Sequence, residues 1–317
     1  KGILKMLSFK PIDKTALQLV PADAISYMAI NIDLAQTWND ISTLIEQFSD
    51  EMPIEQIAKL TELNKKLGFS LKDDFFASMD TNFVIYSRLP LSGGLFPDNI
   101  AYVKLNAPEK FKQYIDKITG IIEVQSEEIS YNGYTIKCMS KNISPNGNFS
   151  RDSITFHINY IIKDNTLFIS DNIHAIKRFI LQQNNKENTS ILDNKKYKEL
   201  TANIHPNNNI IIYTDIGKIL TGFYNSLAPF AFFAENRLKE ENIPLELSRL
   251  PVGDTILKYL TPSIMCLNND ENGIWYEGYH SSGINITSVP VVAIVAAIAI
   301  PNLLSSRKSS NEMVAMA

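Results

Sequence analysis

The chain has 317 residues, of which 45% are hydrophobic and 20% are charged, and its formal net charge is −4. This composition is ordinary for a folded protein, and the length is enough for two domains or for one with a sizeable core. The slight acidity, with no stripe of Lys and Arg, excludes the usual electrostatic footprint of a nucleic-acid-binding protein, so we expect no nucleic-acid partner.

The first part of the chain predicts a strand followed by helices. The sequence ISYMAINID at residues 25–33 is rich in strand formers. Apolar residues then recur at spacings of three and four over residues 34–48 and over 54–67, which predicts two helices with one apolar face each. Gly68 stands where a C-cap glycine belongs, and Ser70 is expected to cap a further short helix.

The next part predicts helices set among hairpins. Pro108 favours a helix start, and Gly120 is expected to end that helix. Asn132-Gly133 is a turn of the hairpin type, and Asn172 is expected to cap a second helix. Six strands are predicted in this part, at residues 82–88, 99–105, 121–129, 134–139, 154–162 and 166–170.

The order of elements begins again after a polar stretch at residues 184–194. A strand at 210–215 is followed by helices and a hairpin, and its string IYTDIGKIL parallels INIDLAQTW of the first part. We therefore predict an α+β fold of two related strand-helix-helix-strand-strand units with antiparallel sheets and helices on one side. The predicted divisions are residues 1–185, with an insertion, residues 186–283, and a C-terminal hydrophobic helix and tail over 284–317.

Residues 289–304, VPVVAIVAAIAIPNLL, form the longest uncharged apolar run in the chain. As a helix they would reach roughly 24 Å, somewhat short of the ~30 Å hydrocarbon core of a bilayer. Pro301 should kink such a helix, and Arg307 and Lys308 would place its end in the cytoplasm if it spans. The alternative is a core helix of the globular body.

The sequence AAIAIPNLLSSRKSSNE resembles the hydrophobic helix of type IV pilins and type II secretion pseudopilins, in which an apolar run ends in Ala-Ile-Pro-Asn-Leu and is followed by a basic residue and Asn-Glu. In that family the helix opens the mature chain, whereas here it follows the body. The ending NEMVAMA is helix-forming and uncapped, which is consistent with a natural chain that continues past Ala317. The resemblance implies helix packing in a membrane or filament through Val291, Val292, Ile294, Val295, Ile298, Ile300, Pro301, Leu303 and Leu304.

The body carries a second, more diffuse resemblance. VPADAISYMAINIDL near the start and KDNTLFISDNIHAIKRFI later are similar to a bacterial extracytoplasmic family, a domain of unknown function with long curved sheets. The resemblance covers most of residues 16–283 and implies a compartment and a fold rather than an activity.

Motifs for chemistry are weak in this sequence. Cys138 and Cys266 lie far apart in strand-like runs, so we expect two buried free thiols, with a bridge between them as the alternative. The four histidines have no metal-ligand spacing. Ser-x-x-Lys at Ser305 and Ser-Asp-Asn at Ser170 stand in the wrong order for a penicillin-recognising enzyme and lack its Lys-Thr-Gly. We expect no catalytic, cofactor-binding or metal-ligating residues.

The helix predicted over residues 216–233 is unusually aromatic. Its rings either pack in the core or form one wall of an apolar groove for a lipid or a partner helix. The groove residues would be Phe223, Tyr224, Phe230 and Phe233.

These patterns favour a non-enzymatic protein of the cell envelope, membrane-associated or at the extracellular surface. Its C-terminal helix would anchor it in a membrane or assemble with like helices into an oligomer or filament. A lipid- or peptide-binding module with an apolar groove is the alternative, and an enzyme with a dispersed site is the second alternative.

Overall fold

The computed structural model describes residues 10–40, 62–91, 97–122, 124–143, 154–183, 189–202, 204–227, 255, 260–270 and 273–279. Its strands are β1 (Ser26–Asn31), β2 (Met79–Arg88), β3 (Asp98–Leu105), β4 (Gln125–Tyr131), β5 (Tyr134–Ile143), β6 (Ile154–Lys163), β7 (Thr166–Ser170), β8 (Ile210–Thr214), β9 (Ser263–Asp270) and β10 (Gly273–Tyr279).

The helices within these residues are mostly short. Residues 34–40 and 62–67 are helical. Tight turns of 3-10 helix occur at Lys14–Leu19, Phe76–Ser78 and Ile191–Asp193, and one turn of π-helix at Leu71–Phe75. The longer helices are α1 (Pro108–Ile121), α2 (Ile173–Gln183), α3 (Lys195–Thr201) and α4 (Ile216–Leu227).

All ten strands belong to one sheet, in the order β10-β9-β8-β1-β2-β3-β7-β6-β5-β4. Each pair of neighbours is antiparallel. The strand order departs from the chain order at two places, where β8 joins β1 and where β7 joins β3. The middle of the sheet is therefore held together by contacts between distant parts of the sequence.

The predicted fold of two units with sheets of their own is wrong. The strands expected in the second unit continue the sheet of the first, because β8 pairs with β1 from Ser26 opposite Thr214 to Ile30 opposite Ile210. Helices and turns pack on both faces rather than on one, because the central strands are apolar on both sides. The pilin-like helix predicted over residues 284–317 lies outside the described residues.

One face of the sheet, here called the tyrosine face, carries Tyr27, Tyr86, Tyr102 and Tyr213, all at most 4% exposed. It is covered by the Lys14–Leu19 and Ile191–Asp193 turns and by α2 and α3. The ring of Phe179 on α2, for example, lies 4.2 Å from that of Phe168 on β7. This is the larger of the two hydrophobic cores in the described part of the chain.

The opposite face, here called the aliphatic face, is covered at one end. Phe111 of α1 is buried there with Val103 and Leu167, and Phe75 of the π-helical turn stacks on Phe111 with ring centroids 5.2 Å apart. The apolar residues of α1 on one helix face, which the spacing predicts, account for this contact.

Several local predictions are confirmed and one is wrong. Gly68 ends a helix with φ of +70°, Ser70 accepts a hydrogen bond from the Asp73 backbone N–H, and Asn132-Gly133 makes the β4–β5 turn with two positive φ angles. Gly120 does not end its helix, however, since α1 continues to Ile121. A glycine that does not adopt a left-handed cap is simply tolerated inside the last turn.

Candidate functional site

Two rows of directly opposed apolar side chains cross the aliphatic face at right angles to the strands. Alternation along each strand places every second residue on this face, and the antiparallel register then brings these residues side by side. The first row is Met28, Ile85, Ala101 and Ile169, and the second is Ile30, Phe83, Val103 and Leu167, from β1, β2, β3 and β7 in turn.

A cavity of about 160 Å³ lies over these two rows and is lined almost wholly by apolar surface. Ala101 is the smallest side chain in either row and stands between Ile85 and Ile169. Because its two neighbours are branched and large, the missing volume at Ala101 leaves a depression in the middle of the face. We call the two rows, together with the depression at Ala101, the sheet groove.

The sheet groove has a described wall at one end of the strands. At one end Met79 follows the Phe76–Ser78 turn, next to the core that α1 covers. Beyond the other end of β2, outside the lining of the cavity, Leu89 lies against α4 and occupies the space that a side chain at Gly222 would need. Ile85 between them is 39% exposed, so the floor of the groove is open to a ligand.

The backbone of the groove floor is fully used within the sheet. β1 pairs with β8 and β2, β3 with β2 and β7, and β7 with β3 and β6. Interior strands with both edges paired leave no ladder groups for an added strand. The sheet groove therefore offers contact area and almost no hydrogen bonding, which suits a hydrocarbon chain.

A second cavity, of about 340 Å³, lies on the opposite face of the sheet, the tyrosine face, and is polar. Cys138 stands there between Glu127 and Asn159, its partners on β4 and β6, with His157 on the same strand as Asn159. Burial, together with the charge of Glu127, raises the pKa of the Cys138 thiol. A thiol nucleophile needs a lowered pKa, so this arrangement works against cysteine catalysis.

A cluster of four charges closes the end of the β2–β3 hairpin. Arg88 contacts Asp23 and Gln182, and Arg178 lies 3.4 Å from the Asp98 carboxylate and donates to the Leu89 carbonyl at 2.6 Å. Each positive charge has a negative partner. The cluster balances its own charge and joins α2 to the hairpin, which is a structural role.

The other polar candidates give no site of their own. Within the described ranges, no group of three or more His, Cys, Asp and Glu side chains is placed to hold a metal ion. Cys138 and Cys266 are both free thiols, but only Cys266 is buried as predicted, whereas Cys138 is half-buried. Burial raises the pKa of the Cys266 thiol to about 12, because its ionised form would lie in the tyrosine-face core.

The predicted site residues fall largely outside the described residues. This holds for all nine residues of the predicted membrane or assembly helix and for Phe230 and Phe233. Phe223 and Tyr224 belong to α4, next to the Gly222 contact with Leu89, but only the backbone of these two residues is described. Among the described residues, no helix is both long and apolar enough to cross a membrane.

Sequence reasoning missed the residues that form the sheet groove. Their signal was present, since MAI in β1, FVI in β2 and LFI in β7 are apolar at successive positions rather than at alternate ones. Such runs indicate strands that are apolar on both faces. The sequence could not show which strands stand beside one another.

Comparisons with protein-family models, with curated proteins and with solved structures find no match to this chain.

Proposed function

We propose that this chain is a non-enzymatic, lipid-binding protein of the cell envelope, and that the sheet groove holds an acyl chain. The observation that carries the proposal is the pair of unbroken apolar rows across four fully paired strands. Three steps between strands at roughly 4.8 Å each give a groove about 14 Å long, which fits part of a fatty acyl chain.

An acyl chain fits this surface better than a peptide does. An extended peptide needs partners for its own N–H and C=O groups, and it usually finds them at an unpaired sheet edge. The groove floor consists of interior strands, so a peptide lying there would lose hydrogen bonds to water without replacement. An acyl chain has no such groups, and burying it gains roughly 0.8 kcal/mol for each methylene.

The residues around the Cys138 cavity and the sheet groove support a binding role rather than catalysis. The thiol of Cys138 is shifted away from its reactive form. The sheet groove itself is lined by aliphatic and aromatic residues, which supply no general acid, base or nucleophile.

Native mass spectrometry of the purified full chain tests the lipid proposal. We expect a co-purifying species with the mass of a fatty acid or a phospholipid, released in organic solvent, and we expect it to remain after truncation following residue 283. Absence of lipid from both forms would contradict the proposal. Lipid bound only to the intact chain would also contradict it, because the ligand would then belong to the C-terminal run and not to the groove.

A second role, membrane anchoring or assembly, is supported by a separate observation. The uncharged run at residues 289–304 and the basic pair after it have the composition of a membrane or filament helix. Alkaline washing of membranes and electron microscopy of the extract test this role. The intact chain should stay with membranes or filaments and the form truncated after residue 283 should be released, whereas equal release of both forms would contradict it.

A further inference from the structure

We infer that a polar cavity beside the edge strand β10 is a binding site for a neutral saccharide. The cavity has a volume of about 230 Å³ and is lined by His205, Asn208, Asn268, Trp275, Tyr276 and Glu277. Trp275 stands opposite Asn268 in the β9–β10 pairing, and Glu277 stands opposite Cys266 of the tyrosine-face core. The cavity therefore opens on the tyrosine face, on the side of the sheet away from the groove, and the inference is independent of the lipid proposal.

The loop before β8 is held firmly over this edge. The backbone N–H of His205 donates to the Glu277 carboxylate at 2.9 Å, and the Asn208 side-chain amide donates to the His205 carbonyl at 2.6 Å. Asn208 is 4% exposed, and its backbone carbonyl accepts a hydrogen bond from the backbone N–H of Ile12 at 2.8 Å. A polar cavity whose lining is fixed in advance loses little entropy when it binds a ligand.

The contacts around His205 favour one tautomer of its neutral ring. Its Nδ1 accepts from the backbone N–H of Asn207 at 3.3 Å and lies 3.4 Å from the side-chain amide nitrogen of Asn268. The Asn207 N–H is a donor, so this contact favours the ring form with its proton on Nε2. His205 thus offers one N–H donor from a ring that is already held in place.

Trp275 supplies the apolar part of the site. Its side chain is 55% exposed, and it shares a strand face with Glu277 because the two residues are two positions apart. A sugar ring has one face of C–H groups and an edge of hydroxyl groups. An indole surface beside a carboxylate, an amide and an imidazole N–H matches these two properties together.

The charge of the lining selects among ligands. None of the six residues that line the cavity is Lys or Arg, and Glu277 is acidic, which disfavours phosphates and other anions. A quaternary ammonium ion would need aromatic rings on more than one side. Tyr276 leaves the strand on the opposite face, and Tyr279, the other ring on this face, lies outside the cavity, so Trp275 is the one ring of β10 that lines the cavity from this face.

Fluorescence of Trp275 tests the inference in the full chain. The chain has two tryptophans, so the variant Trp38→Phe reports on Trp275 alone. We expect glucose, galactose or N-acetylglucosamine at millimolar concentrations to shift its emission saturably. No saturable shift with any of these sugars would overturn the inference, and so would a shift with choline in place of the sugars.

Two variants and a matched control locate the effect. Isothermal titration with the sugar that binds should show that Trp275→Ala binds at least roughly tenfold more weakly than the native chain. Glu277→Gln keeps an acceptor for the His205 N–H and should weaken binding several-fold while the thermal midpoint stays unchanged. Tyr279→Ala removes an exposed ring of the same strand face outside the cavity and should bind as the native chain does. Equal losses in Trp275→Ala and Tyr279→Ala would overturn the inference.

Discussion

At the scale of single residues, the centre of the tyrosine face depends on hydroxyl groups that stay uncharged. The hydroxyls of Tyr27 and Tyr197 lie 2.6 Å apart, and the ring of Tyr27 stacks on Tyr213 with centroids 5.7 Å apart. Burial raises the pKa of Tyr27 well above its ordinary value of 10 and that of Tyr197 to about 12. The fold therefore requires the hydroxyls of Tyr27 and Tyr197 to stay uncharged.

This burial predicts that the fold is lost in alkali. A group with a raised pKa in the folded state contributes stability that is complete below its unfolded pKa and disappears as pH rises through the folded value. For Cys266 that window runs from about 9 to about 12, and for Tyr197 from about 10 to about 12. We expect the free energy of unfolding in urea to be level near pH 8 and to fall between about pH 9 and 12.

A substitution tests which group causes the first part of the loss of stability above pH 9. Cys266→Ala removes one of the two thiols that titrate first in the unfolded chain, and the one whose pKa is raised furthest, to about 12, so the loss of stability just above pH 9 should be shallower than in the native chain. A stability curve that stays level to pH 12 in the native chain would contradict this account of the tyrosine face.

The Arg88 cluster predicts a loss of stability on removing one charge. The Arg88 side chain is 5% exposed and its partner Asp23 is 54% exposed. Arg88→Met should cost about 1–2 kcal/mol, less than a fully buried broken pair, because the exposed Asp23 carboxylate rehydrates and keeps Arg178 at 3.3 Å. Urea denaturation measures this cost.

A surface pair provides the control for that measurement. Lys163 bonds to Asp164, whose side chain is 82% exposed, and Lys163→Met should change the free energy of unfolding by about 0.5 kcal/mol or less. If Arg88→Met were as mild as Lys163→Met, the cluster would not join α2 to the hairpin as described.

At the scale of elements, two glycines that look alike in the sequence have opposite roles. Gly133 in the β4–β5 turn has a φ of +82°, which disfavours any side chain, whereas Gly120 lies inside α1 with no atom within 4 Å of the position that a Cβ would take. Gly133→Ala should therefore destabilise the fold by about 1 kcal/mol. Gly120→Ala should stabilise it by about 0.5–1 kcal/mol, since alanine favours a helix interior.

Thermal unfolding of the two variants beside the native chain measures both effects. Opposite shifts of the midpoint are expected. Shifts of the same sign would contradict the assignment of one glycine to a left-handed turn and of the other to a helix interior.

Local elements were largely predictable because their signals are local. The strand predicted at residues 25–33 appears as β1, and that at 210–215 as β8, since β-branched and aromatic residues favour strands wherever they stand. The π-helical turn at Leu71–Phe75 was not predicted in that form. Ser70 marks where a helix begins, but a cap does not determine the hydrogen-bond spacing of the turn that follows.

At the scale of the whole molecule, the sequence alone was insufficient. Alternation shows that a strand has two faces, but it does not show which strand lies beside it. Met28 and Ile212 are 184 positions apart in the chain and are direct neighbours in the sheet. For this reason two sheets were predicted where the structure has one. The groove residues could be recognised only once the register across β1, β2, β3 and β7 was known.

Ala101 shows why the candidate site could not be predicted. In the sequence it is one small residue in a strand, with no polar neighbour or motif to mark it. It becomes the lowest point of a groove only because Ile85 and Ile169 lie opposite it on two other strands. A site made of shape alone has no chemical signature in a single sequence.

The most direct test of the central claim is titration of the delipidated full chain with a fluorescent fatty acid, for the native sequence and for Ala101→Phe and Ala202→Phe. The first variant fills the sheet groove, and the second adds the same ring at an exposed position after α3. We expect the native chain and Ala202→Phe to bind alike and Ala101→Phe to bind roughly tenfold more weakly or worse. Equal binding by all three, or no binding by the native chain, would contradict the claim that the sheet groove holds an acyl chain.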